Sequence, residues 1–69
     1  MPIISVTIAE GRQVEKRRTL IKALTEATVN AFDVRPDQVR VILNEVPLEN
    51  YAVAGVTFAE QALLPGASK

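Results

Sequence analysis

The chain has 69 residues, room for one domain only, and a chain this short buries roughly 60% of the surface it exposes when unfolded. It contains neither Cys nor His, which excludes disulfides and the usual zinc, haem and iron–sulfur ligand sets. Eight basic residues balance eight acidic ones, so a dedicated nucleic-acid binder is not expected. Carboxylates alone could hold magnesium or calcium, but no stretch resembles a calcium loop. Partner chains are then the remaining source of stability, and an obligate oligomer is expected from size and composition alone.

The opening Met1-Pro2-Ile3-Ile4-Ser5-Val6 has no basic leader before an apolar run, so no secretory signal is read and a cytoplasmic location is expected. The longest apolar stretches fall far short of a membrane span. Residues 3–8 are rich in β-branched side chains and alternate: Ile4, Val6 and Ile8 face one way, Ile3, Ser5 and Thr7 the other. That pattern predicts a strand, which Glu10-Gly11-Arg12 ends, with Gly11 allowing the turn. From about Val14 to Phe32 the period becomes helical, with Leu20, Ile21, Leu24, Ala27, Thr28, Ala31 and Phe32 on one face. Gln13 is a poor N-cap, and the helix is expected to stop near Asp33, because Pro36 biases Arg35 towards an extended backbone.

Residues 39–46 predict a second strand, with Val39, Val41 and Leu43 on its smooth face and Arg40, Ile42, Asn44 and Val46 on the other. Strand, helix and strand in succession make a βαβ unit with parallel strands and a right-handed crossover. Pro47 ends the second strand, residues 50–58 suit a short hairpin or arm, and the tail from about residue 62 is expected to be loose. The whole reads as a single α/β (α+β) domain. One helix on two strands leaves open edges and a partly apolar second face (Ile3, Ile42, Val46). Pairing two units edge to edge gives a four-stranded sheet carrying two helices, and further assembly would cover the second face.

Nucleophilic catalysis of the usual kind has no materials here. Ser5, Thr7 and Ser68 lack a His to activate them, and there is no Cys. The acids Glu10, Glu45 and Glu49 stand in no recognisable pair. The cluster Lys16-Arg17-Arg18 shares its surface with Glu15 and Glu26 and has no interleaved aromatic, so a solvated helix face is expected. Three residues remain pointed: Pro2 directly after Met1, Arg12 just past the first strand, and Arg40 between Val39 and Val41. Together they leave an N-terminal amine as base or nucleophile, with arginines to receive an anion.

This pattern resembles the 4-oxalocrotonate tautomerase family. The likeness is carried by Met1-Pro2-Ile3-Ile4 and an alternating strand, Glu10-Gly11-Arg12, the helix, Val39-Arg40-Val41-Ile42, and Asn44-Glu45-Val46-Pro47. It runs over roughly residues 2–60 at matching spacing. The resemblance implies a β-α-β subunit in a homohexamer, a trimer of dimers, with active sites shared between subunits. It places the general base on Pro2, exposed once Met1 is removed, and the substrate-binding arginines on Arg12 and Arg40. The aromatic residue of the apolar site falls on Tyr51. The implied reaction moves a proton from a dienol hydroxyl to carbon, as with 2-hydroxymuconate, and requires no metal or organic cofactor. The implied partners are therefore a small anionic 2-oxo or enol acid and further copies of the chain, with no nucleic acid and no membrane.

Those assignments obey ordinary acid–base chemistry. A base working near neutral pH needs a conjugate acid with a pKa close to that pH, whereas an α-amine lies at ~7.7–8.0 and a secondary amine higher. An apolar wall (Tyr51 with Ile3) and nearby cations (Arg12, Arg40) would both lower it. The same arginines would clamp carboxylates with paired hydrogen bonds, and Arg40 would stabilise the developing enolate oxygen while Arg12 holds a distal carboxylate. Three positions depart from the family pattern. Ala52-Val53-Ala54-Gly55 replaces a Gly-rich hairpin, so a change in hairpin geometry is expected. Tyr51 stands where phenylalanine or tryptophan is usual. Ala9 replaces the arginine of dehalogenating relatives, and residues 50–58 lack their water-activating acid. Tautomerisation is therefore favoured over a related hydratase or dehalogenase activity; a non-catalytic relative is the remaining alternative.

Overall fold

The alternation of Ile4, Val6 and Ile8 against Ile3, Ser5 and Thr7 produces a strand, β1, over Ile3–Ala9. The structure, a computed structural model, describes residues 1–61; the tail expected to be loose lies outside the described residues. Helix α1 spans Val14–Phe32 and β2 spans Arg40–Val46. The two strands are parallel and in register from Ile3 opposite Arg40 to Ala9 opposite Val46. Two short strands, β3 (Ala52–Val53) and β4 (Val56–Thr57), pair antiparallel, and a one-turn helix, α2 (Phe58–Gln61), follows. No described helix is long and apolar enough to cross a membrane.

The boundaries of α1 follow from its end residues. Gln13 has an extended backbone and makes no side-chain cap, so the helix simply begins after it. At the other end Asp33 takes the left-handed conformation, φ 57° and ψ 47°, and its N–H donates to the Val29 carbonyl. Aspartate tolerates this region better than most residues, and it closes the helix before Pro36 is reached. Arg35 is extended before the proline, as expected, and Pro36–Gln38 forms a 3₁₀ turn. Val39, placed in the second strand by its pattern, instead donates its N–H to the Pro36 carbonyl and closes that turn, so β2 starts at Arg40. Strand β1 runs one residue past the expected end, because Ala9 still pairs with Val46.

Ile4, Val6 and Ile8 of β1 and Val41 and Leu43 of β2 form the less exposed side of the sheet, and Leu20, Ile21, Leu24 and Thr28 the less exposed side of α1. All of these are only half-buried, and no described residue is fully buried in the single chain. The rest of the expected helix face is uncovered. Ala27 and Ala31 are exposed and Phe32 is 65% exposed. The reason is width: two strands about 4.8 Å apart cannot roof the full apolar stripe of a helix about 10 Å across. On the opposite face Ile3 and Ile42 are exposed, and the Asn44 amide donates to the Ser5 hydroxyl at 3.1 Å, tying the two strands.

The hairpin turns on Ala54 and Gly55, both at positive φ (54° and 84°). Two successive positive-φ residues are the mark of the tight two-residue turn whose twist matches that of strands. The alanines do not prevent the hairpin; one of them carries strain instead, since an L residue in this region costs ~1–2 kcal/mol. Replacing Ala54 with Gly should therefore raise stability by about 1 kcal/mol, and Gly55→Ala should lower it by a similar amount. Denaturant unfolding of the two variants checks both signs; unchanged midpoints would mean that the turn holds no strain.

Candidate active site

The parallel register decides where each candidate side chain stands. Pro2 and Arg40 lie at the beginning of the strand pair, where the Arg40 N–H donates to the Pro2 carbonyl at 3.0 Å. They do not share a face. Pro2 lines an apolar cleft of about 490 Å³ with Ile4, Leu24, Thr28 and Phe32, on the helix side. Arg40 is exposed, alternates onto the opposite side of the sheet, and donates through Nη1 to the Asp37 carbonyl at 2.9 Å.

Arg12 and Tyr51 lie at the far end. Gly11 makes the turn after β1 at φ 110°, a conformation that favours glycine. The turn delivers Arg12 to a second cleft, of about 500 Å³, lined also by Thr7, Ala9, Val46, Tyr51 and Phe58. Ile3 and Val46, at opposite ends of the strands, are six residues apart in register, a separation of about 20 Å at the usual rise. One chain therefore brings Arg12 to Tyr51, and Pro2 near Arg40, but it does not bring the two pairs together. The expected apolar wall of Ile3 with Tyr51 is likewise not formed within one chain.

Two residues of this site have roles that their sequence setting understated. Arg17, expected on a solvated face, is half-buried. Its Nη1 donates to the Glu45 carboxylate at 2.8 Å and to the Arg12 carbonyl at 3.0 Å. It ties the start of α1 to β2 and to the loop that carries Arg12. The signal was present in the spacing, because residue 17 stands three, four and seven positions before Leu20, Ile21 and Leu24. Phe58 is the other. Its ring centroid lies 4.3 Å from that of Tyr51, with the planes 31° apart, and it lines the Arg12 cleft. A turn centred on residues 54 and 55 sets 51 opposite 58, so this pairing too follows from the hairpin.

The described residues form a β-α-β unit with parallel strands, one long helix and a C-terminal hairpin. Residues 2–61 match the sequence profile of the family described as tautomerase enzyme. Among solved structures, one of the 4-oxalocrotonate tautomerase isozymes of Methylibium petroleiphilum is 50% identical, with a TM-score of 0.84 over 91% of this chain and 100% of that one. A heterohexameric 4-oxalocrotonate tautomerase from Chloroflexus aurantiacus is 40% identical, with a TM-score of 0.82 over 87% of this chain and 97% of that one. A 2-hydroxymuconate tautomerase of Pseudomonas sp. strain CF600 is 38% identical over 55 residues, 80% of this chain and 87% of its own length. The chain belongs to the tautomerase family, in its 4-oxalocrotonate tautomerase group, and its class of enzyme is isomerase.

The Arg17 hub makes a direct prediction. Arg17→Ala should lower stability by about 1 kcal/mol, the net worth of hydrogen bonds at a half-exposed ion pair. Glu45→Gln added to Arg17→Ala should cost little more, because both changes remove one interaction. Urea unfolding of the two single variants and the double variant checks this; simple additivity would contradict it.

Proposed function

We propose that this chain is a cofactor-free tautomerase in which removal of Met1 frees the secondary amine of Pro2 to act as general base. The amine takes the proton from the hydroxyl of a 2-hydroxydienoate such as 2-hydroxymuconate. Its conjugate acid then returns a proton to carbon, giving the α,β-unsaturated ketone. Atoms and electrons balance without an oxidant or a second substrate. Arg40 stabilises the developing enolate oxygen, Arg12 holds a distal carboxylate, and Tyr51 supplies an apolar wall. The observation that carries the reading is family membership together with Pro2 standing directly after Met1 at an apolar cleft. Relatives named 2-hydroxymuconate tautomerase support the substrate class. The absence of a dehalogenase-type arginine at Ala9 favours tautomerisation over hydration.

The active unit in this reading is a homo-oligomer, a hexamer built as a trimer of dimers, in the cytoplasm. Two facts support assembly. The single chain fully buries none of its described residues and exposes Ile3, Phe32, Ile42 and Val53. Its candidate residues also occupy two separate clefts, so a partner must carry one cleft to the other. The Chloroflexus relative is itself a hexamer, of mixed chains.

Turnover of 2-hydroxymuconate by protein of confirmed mass tests the proposal. Retained Met1 makes the proline nitrogen an amide without basicity, so activity should track the processed fraction. Pro2→Ala should lower kcat by about 10²-fold or more while sedimentation shows the oligomer intact. Arg12→Ala should raise KM by about tenfold with kcat little changed, whereas Arg40→Ala should lower kcat by about 10²-fold. Negligible turnover by fully processed wild type would leave the non-catalytic alternative standing. An Arg40→Ala enzyme with unchanged kcat would remove that residue from the chemistry.

A further inference from the structure

Phe58 has no part in the proposed proton transfer, yet it forms part of the same cleft as Arg12. Its position is held from two sides. The Phe58 N–H donates to the Tyr51 carbonyl at 2.8 Å, one rung beyond the paired Ala52 and Thr57. On its other side α2 is capped: the Thr57 hydroxyl accepts the Glu60 N–H at 3.1 Å and donates to the Glu60 carboxylate at 3.0 Å. Thr57 followed three residues later by Glu60 is the capping-box pattern, and it fixes the backbone from which Phe58 projects. Phe58 is 36% exposed and Tyr51 42%, so the pair lies at the surface of the single chain.

The chemistry of the cleft selects its occupant. Among the described residues Arg12 is the one charged residue in its lining, Thr7 adds a hydroxyl, and Ile8, Ala9, Val46 and the two rings are apolar apart from the Tyr51 phenol. Its volume, about 500 Å³, lies within the range of roughly 300–1,000 Å³ usual for small-molecule sites. One cation beside a tilted pair of rings suits a carboxylate joined to a flat π-system, since aromatic surfaces prefer offset or tilted contact.

We infer that Phe58 is a specificity-determining residue: with Tyr51 it forms a two-ring wall that selects planar acids bearing an aryl group over those ending in a methyl. The inference rests on the proposed reading of Arg12 and Tyr51 as substrate-binding side chains. trans-Cinnamate and crotonate, both planar monoanions differing in phenyl against methyl, test it by calorimetric titration of the assembled protein. Wild type should bind cinnamate about tenfold more tightly than crotonate. Phe58→Leu should cut that ratio about fivefold with crotonate binding unchanged, and Phe58→Tyr should keep it. The ring resonances of Tyr51, the only tyrosine in the sequence, should shift on adding cinnamate. Should Phe58→Leu fail to assemble, Overhauser contacts between the cinnamate ring and Phe58 in wild type decide the matter. Equal affinities, no binding of either acid, a preference that survives Phe58→Leu, or missing Overhauser contacts would overturn the inference. Neither probe carries the 2-hydroxy or 2-oxo group that the reaction needs. Wild type that turns over substrate but binds the two acids equally thus sinks this inference alone, and wild type that prefers cinnamate but shows no turnover sinks the proton-transfer reading alone.

Discussion

A two-stranded sheet is scarcely wider than the helix that lies on it, and the rest of this molecule depends on that constraint. The strands β1 and β2 cover Leu20, Ile21, Leu24 and Thr28 only in part, and Ala27, Ala31 and Phe32 stand beyond them. The sequence has no Cys or His to staple the chain, and among the described residues nothing covers that surface. Exposed apolar side chains on both faces of the sheet, and a hairpin carrying Val53 into solvent, give further copies of the chain a surface to bury.

The same narrowness explains how the candidate site is distributed. Parallel pairing puts the start of both strands at one end and their finish at the other, so Pro2 and Arg40 fall together in sequence register while Arg12 and Tyr51 fall about 20 Å away. Within each end the local chemistry is well supported. Gly11 turns the chain at φ 110° to deliver Arg12, Arg17 holds that loop through its carbonyl, and the Ala54-Gly55 turn brings Phe58 against Tyr51. In the proposed reading burial and function ask for the same thing, a partner chain, and the heterohexameric Chloroflexus aurantiacus relative supplies a precedent. In this reading stability and catalysis are linked: a variant that loosens assembly would lose activity without touching the chemistry.

Much of this was legible in the residues. The extent of α1, Val14 to Phe32, follows from its apolar spacing, and the parallel strand pair follows from alternation on either side of a single helix. Gly11 and Gly55 are turns because nothing else in their segments takes positive φ without strain. Two features were not legible from local pattern. Phe32 has the right spacing for the core face, but spacing cannot tell how much sheet lies beneath it. Arg17 sits inside a basic triplet, and a charged neighbourhood hides the fact that its stem lies on the apolar row while its guanidinium reaches Glu45, 28 residues away. The candidate residues were named from a resemblance as much as from chemistry; their separation into two clefts is a property of register that only the folded chain displays.

In the proposed reading, one working site takes Pro2 from one subunit and Arg12 from another. Co-assembling Pro2→Ala chains with Arg12→Ala chains tests it directly, after unfolding and refolding the two proteins together and assaying at substrate well below the wild-type KM, where both parents are impaired. If the residues belong to different subunits, mixing should regenerate activity at about a quarter of the sites, as random placement in a symmetric oligomer requires. A mixed oligomer with no more activity than its two parents would mean that Pro2 and Arg12 serve the same site from the same chain, and would contradict the division described here.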